Sequence, residues 1–209
     1  RGMGKDCTAF ITDMNQPLGR AVGNAVEAIE AFEALKGQGP DDLVTLCREL
    51  ASEMIVMGRA APDLDQARSL YDDLIRSGAA LEKMREIIAA QGGNPRAVDD
   101  YDLMPRARME RKVLAARAGY VQQIDTQEVG RASMLLGAGR LRLETAIDLG
   151  VGLRVEAKIG DRVDSGSTLV TLFFNDEARA EEAARVVERA YTIGPERAAP
   201  PELIKSILR

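Results

Sequence analysis

The stretch from Ala9 to Phe32 constrains the fold more than any other part of the chain. It opens with the short apolar run Ala9-Phe10-Ile11, which reads as a buried strand. A polar loop follows, with Asp13, Asn15, Pro17 and Gly19 as its turn residues. Apolar positions then return at helical spacing, at Val22, Val26, Ile29 and Phe32. A strand, a loop at its carboxyl end and then a helix is how α/β proteins build ligand sites. The pattern predicts a site in the loop without saying what chemistry it performs.

The following segments divide by period. Asn24 is placed to cap a helix running to about Lys36, and Gly37 sits where a helix-ending glycine belongs. Pro40-Asp41-Asp42 starts a second helix with carboxylates at the positive end of its dipole. Pro62-Asp63 starts a third, with Leu70, Tyr71, Leu74 and Ile75 on one side, and a fourth spans about Ala79 to Ala90. Residues 96–107 show no clear period. From Lys112 short apolar runs predict strands, and Thr126 is placed to cap a helix ending at Gly137-Ala-Gly139. Strand-like runs recur at Gly152–Lys158 and Thr168–Phe174, a charged amphipathic helix covers about Glu177 to Ala190, and Pro200-Pro201 marks a tail. The division expected is 1–100, a linker at 101–109, and an α+β unit at 110–209.

Composition narrows the function. The chain has no histidine, so it holds neither a Ser/His/Asp nor a Cys/His set. A net charge of −5 gives no basic field for nucleic acid. No apolar run approaches the roughly 20 residues that span a bilayer, so no membrane partner is expected. Cys7 and Cys47 lack metal-site spacing and read as reduced thiols in a cytoplasmic protein. Carboxylate runs such as Asp72-Asp73 and Glu181-Glu182 read as solvated helix faces. Gly137-Ala-Gly139 before Arg140 lacks the Lys-Ser/Thr of a P-loop and reads as a structural turn, with Arg140 free to pair with a carboxylate.

Several segments also carry a resemblance. Thr12-Asp-Met-Asn-Gln-Pro-Leu-Gly19, Ala21-Val-Gly-Asn24 and Glu27 resemble one segment of the pyrimidine-nucleoside and thymidine phosphorylases. Gly37-Gln-Gly-Pro-Asp-Asp-Leu43, Ala90-Gln-Gly-Gly93, Leu135-Leu-Gly-Ala-Gly-Arg140 and Asp148-Leu-Gly-Val-Gly152 resemble later segments in the same order. The resemblance runs from about Thr8 to about Leu172. It implies a helix-rich remainder of a larger α/β domain, followed by a small C-terminal domain similar to a barrel-sandwich hybrid. It implies an enzyme that cleaves pyrimidine nucleosides with phosphate to base and (deoxy)ribose 1-phosphate, as a homodimer. The family's Ser/Arg and Gly/Thr-rich phosphate- and base-binding stretch and its base-contacting histidine have no counterpart here. The chain, which starts at Arg1, is therefore expected to be the C-terminal half of such an enzyme, to need the N-terminal half as partner, and to be inactive alone. The alternative is a stand-alone, non-catalytic interaction or regulatory module of the same fold.

The resemblance also implies a potassium site. In the bacterial members, residues at the Leu18 and Ala21 positions give backbone carbonyls to the ion and the one at the Glu30 position helps. Hard cations take oxygen ligands of this mixed kind. A continuous helix from Ala21 to Glu30 would separate them by about 13 Å, so either the helix breaks near Gly23-Asn24 or Glu30 is a surface residue. A second likeness joins Val155 to Leu169, with Gly160-Asp-Arg-Val-Asp-Ser-Gly166, to the hairpin of biotinyl and lipoyl domains. Lys158 lies in a strand-like run rather than at an exposed turn, so the hairpin reads as architecture rather than as a carrier site.

Overall fold

A computed structural model describes residues 2–140 and 146–209. In chain order the elements are β1 (Ala9–Thr12), β2 (Ala21–Gly23), α1 (Ala25–Leu35), α2 (Asp41–Met57), α3 (Leu64–Arg76) and α4 (Ala79–Ala90), two short 3-10 turns, then β3 (Met109–Leu114), β4 (Gly119–Ile124), α5 (Thr126–Leu136), β5 (Gly152–Val155), β6 (Arg162–Val163), β7 (Thr168–Phe174), α6 (Glu177–Ala190), β8 (Tyr191–Gly194) and β9 (Ile204–Leu208). They form two units, each discontinuous in sequence. One comprises Arg1–Asp13, Ala31–Val98 and Glu202–Arg209, and the other Met14–Glu30 and Asp99–Pro201. The boundaries fall after Asp13, inside α1 after Glu30, after Val98 and after Pro201.

The first unit is helical with a two-stranded ribbon. Asp63 caps α3 by accepting the Gln66 N–H at 2.8 Å, and Arg76 occupies its last turn. Helices α2 and α3 are joined by two forked ion pairs. Arg48 meets Asp72 at 2.7 and 2.6 Å, and Arg68 meets Glu49 at 2.9 and 2.6 Å. Hydrogen bonds from these guanidiniums hold the Asp72 and Glu49 carboxyls below their usual range. Asp72 is thus paired with Arg48 while remaining partly solvated. The segment after Pro201 is no tail either. It forms β9, which runs antiparallel to β1 with Ala9 opposite Leu208 and Thr12 opposite Ile204. Two carboxylates fasten it, Asp13 to Lys205 at 2.8 Å and Glu53 to the Arg209 Nε at 2.8 Å. Buried apolar residues in this unit include Phe32, Ala67 and Val98.

The second unit holds the main core. A four-stranded sheet has the order β2-β5-β7-β3 and a three-stranded sheet the order β6-β4-β8. β7 is a central strand buried on both faces, with Leu169, Val170, Thr171, Leu172 and Phe174 all buried. Helices α5 and α6 close the core with small residues, among them Ala132, Ala180 and Ala183, together with Val129, Val186 and Val187. The cap of α5 is Asp125, which accepts the Glu128 N–H at 3.1 Å, and not Thr126, whose buried hydroxyl has no hydrogen-bond partner. Gly137 ends α5 at φ 110° as expected.

Every strand pairing among the described residues is antiparallel. The architecture is therefore α+β. The expected barrel-sandwich hybrid is corrected: both sheets stay open, with β2 and β3 as edges of one and β6 and β8 as edges of the other, and the described residues form no closed barrel. No described helix is long and apolar enough to cross a membrane.

Candidate functional site

The turn that precedes β2 carries Leu18 and leads into Ala21, and the Glu30 side chain reaches its backbone amides. Helix α1 begins only at Ala25, so Ala21 lies on a strand and Glu30 on a helix, and the helical spacing of about 13 Å does not apply. The Glu30 side chain returns over the turn. Its Oε1 accepts the Arg20 N–H at 2.9 Å and the Ala21 N–H at 3.1 Å, and its Oε2 lies 3.2 Å from the same Arg20 nitrogen. Gly19 makes this approach possible. It has φ +65°, and a Cβ built on it would lie 2.1 Å from Glu30 Oε2. Glu30 is half-buried, and its carboxylate is a ligand of the turn rather than a surface charge.

The strand sets where the carbonyls point. β2 is an edge strand paired antiparallel with β5, with Ala21 opposite Arg154 and Val22 opposite Leu153. The Val155 N–H donates to the Arg20 carbonyl at 2.7 Å. Hydrogen-bonded and non-hydrogen-bonded pairs alternate along an antiparallel ladder. Ala21 is therefore a non-hydrogen-bonded position, and its N–H and C=O both face away from β5. The Ala21 N–H goes to Glu30. Leu18, 40% exposed, sits in the turn two residues before Arg20. Cation ligation here would use backbone oxygen with one carboxylate, a donor set that suits a hard ion. No group of three or more His, Cys, Asp and Glu side chains among the described residues could hold a metal.

Neighbouring groups fix the turn. Asn24 donates its side-chain amide to the Ala138 carbonyl at 2.8 Å, which ties the Gly137-Ala-Gly139 stop of α5 to the start of α1. Ser133 donates to the Val22 carbonyl at 3.1 Å. Gly23 lies opposite Gly152, and a Cβ on Gly152 would come 2.7 Å from the Val22 carbonyl. Lys158 donates its ammonium to the Pro17 carbonyl at 3.0 Å, so its head group is engaged within the fold rather than displayed as a carrier lysine. Sequence reasoning singled out Leu18, Ala21 and Glu30 but not Gln16, Arg20 or Lys158 as contacts of the turn, since nothing local marks a pairing across some 140 residues.

Residues 120–194 match the family model of the pyrimidine nucleoside phosphorylase C-terminal domain. Over 206 residues, 99% of its length, the chain is 42% identical to pyrimidine-nucleoside phosphorylases of Staphylococcus aureus strains USA300, NCTC 8325 and bovine RF122. It spans 47% of the length of these relatives. Along nearly its whole length the chain is thus similar to a stretch of these pyrimidine-nucleoside phosphorylases, one that includes the C-terminal domain matched at residues 120–194.

Proposed function

We propose that this chain works as the C-terminal half of a pyrimidine-nucleoside phosphorylase. The observation that carries this is the 42% identity along 99% of the chain. In the reaction, phosphate oxygen bonds to C1′ of the nucleoside as the bond from C1′ to the base nitrogen breaks. The base leaves with the electron pair and takes up a proton. Rate depends on placing the anion and on stabilising charge on the departing base. We assign both tasks to a preceding half that completes the α/β domain begun by β1 and α1–α4. The present residues wall the cleft and shape a cation site, in a cytoplasmic homodimer.

The cation is potassium in this reading. Leu18 and Ala21 would offer carbonyl oxygens and Glu30 a carboxylate oxygen, and the ion would supply positive charge that orders the turn. The return of Glu30 to the Arg20 and Ala21 amides supports the assignment. Glu30→Gln in the two-half enzyme should raise the potassium needed for half-maximal activity, and an unchanged potassium titration would make Glu30 merely structural.

The chain alone should not turn over thymidine or uridine with phosphate. Free base is followed by chromatography, with and without a separately expressed N-terminal half. Restored turnover on mixing supports the reading. Turnover by the repurified chain alone would show the active site to be misplaced, and a chain that neither turns over nor responds to the second half would favour the non-catalytic module.

A further inference from the structure

The Gln16–Ala21 turn is gripped by residues that offer the cation no oxygen. The Ile159 N–H donates to Gln16 Oε1 at 3.0 Å, and Lys158 Nζ donates to the Pro17 carbonyl at 3.0 Å. Arg20 Nη1 donates to the Glu156 carbonyl at 2.7 Å and the Val155 carbonyl at 3.2 Å. The segment they hold is itself fixed. Glu156 and Ala157 donate their N–H groups to the Leu169 carbonyl at 2.8 and 3.2 Å. Tyr191 donates its hydroxyl to the Ala157 carbonyl at 3.0 Å, and the Lys158 N–H meets Asp161 Oδ2 at 2.8 Å. The turn is thus clamped between this frame and the Glu30 carboxylate.

We infer that Arg20 and Lys158 are positioning residues for the cation site, holding the turn so that the Leu18 and Ala21 carbonyls are already presented when the ion arrives. The inference rests on the potassium reading above. A loose turn must be ordered on binding, at an entropic cost that weakens affinity, whereas a clamped turn is ordered beforehand. The charge of the two residues acts the other way, because an ammonium and a guanidinium repel a nearby cation. The two effects therefore differ in the sign of what a substitution does.

The test uses the two-half enzyme with Lys158→Met, Lys158→Arg and Arg20→Met, titrated with potassium chloride against choline chloride at constant ionic strength. The readouts are the potassium-dependent rise in unfolding midpoint and hydrogen exchange at the Arg20 and Ala21 amides. Loss of the Lys158 bond should raise the half-saturating potassium concentration about three- to tenfold, the range that one hydrogen bond commands. It should also speed exchange at both amides before potassium is added, and Lys158→Arg should restore both. A lower melting point with an unmoved potassium half-point would overturn the inference and leave the cation reading standing. Tighter potassium binding in Lys158→Met would overturn it too, by showing that repulsion dominates. A wild-type enzyme with no potassium response would remove both readings.

Discussion

Lys205 reaches Asp13 at 2.8 Å, and the Asp13 side chain is only 3% exposed. The ammonium lies on β9 and the carboxylate just beyond β1, so the pair locks the ribbon at one end. Arg209 does the same at the other end through Glu53, which is also buried. Removing the cation leaves a buried carboxylate with less compensation. Since Lys205 is about half exposed, Lys205→Met should cost about 1–2 kcal/mol rather than the full buried-pair penalty. The exposed pair Arg76–Asp73 is the control, and Arg76→Ala should cost less than about 0.5 kcal/mol. Urea titrations of the two variants check the contrast.

Acid should loosen the α2–α3 contact. The Asp72 and Glu49 carboxyls titrate below their unfolded values because of Arg48 and Arg68. A depressed carboxyl contributes stability above its unfolded pKa of about 4, and that contribution is lost as pH falls through the lower folded value. Both pairs are partly solvated, so the loss should not exceed about 1 kcal/mol per pair. Stability measured between about pH 6 and pH 3 should fall less steeply in Glu49→Gln than in the parent.

Tyr191 should behave in the opposite sense. Burial pushes its phenol well above the ordinary tyrosine value. A raised pKa favours the folded state below the unfolded value of about 10, and the benefit is lost as pH rises further. In an ultraviolet titration Tyr191 should ionise only as the second unit opens. Tyr191→Phe should remove that step and cost about 0.5–1.5 kcal/mol at neutral pH through the lost bond to Ala157.

Gly19→Ala tests the Glu30 contact directly. The new methyl would collide with Oε2 in a left-handed backbone position. A loss of about 1–3 kcal/mol is expected, from the strained φ and the displaced carboxylate together. Combining Gly19→Ala with Glu30→Ala should cost less than the sum of the single changes, because the collision disappears. Additive losses in a double-mutant cycle would mean that the two residues do not interact.

Much of the helical layer was legible in the sequence. The stripes of α2, α3 and α4, the acidic starts at Asp41 and Asp63 and the glycine stops are local signals, and local signals survive into the fold. Val22 was misread as the first residue of a helical stripe, because a three-residue strand is too short to show a period of two. β9 was hidden for a different reason. Its partner lies at the far end of the chain, and Ile204–Leu208 has no alternation strong enough to identify a strand alone. The candidate site was legible only through resemblance. Leu18, Ala21 and Glu30 carry no ligand signature as residue types, and the approach of Glu30 to the Ala21 amide depends on a left-handed glycine. The grip of Arg20 and Lys158 is a tertiary pairing with no local trace.

The pairing of β1 with β9 bears on how the protein is made. The ribosome delivers Ala9–Thr12 well before Ile204–Leu208. At about 5–20 residues per second, β1 waits roughly 10–40 s for its partner. An apolar strand without a neighbour is a template for the wrong strand. Vectorial synthesis therefore leaves β1 without β9 during that interval, while residues 99–201 can already collapse on their own apolar core.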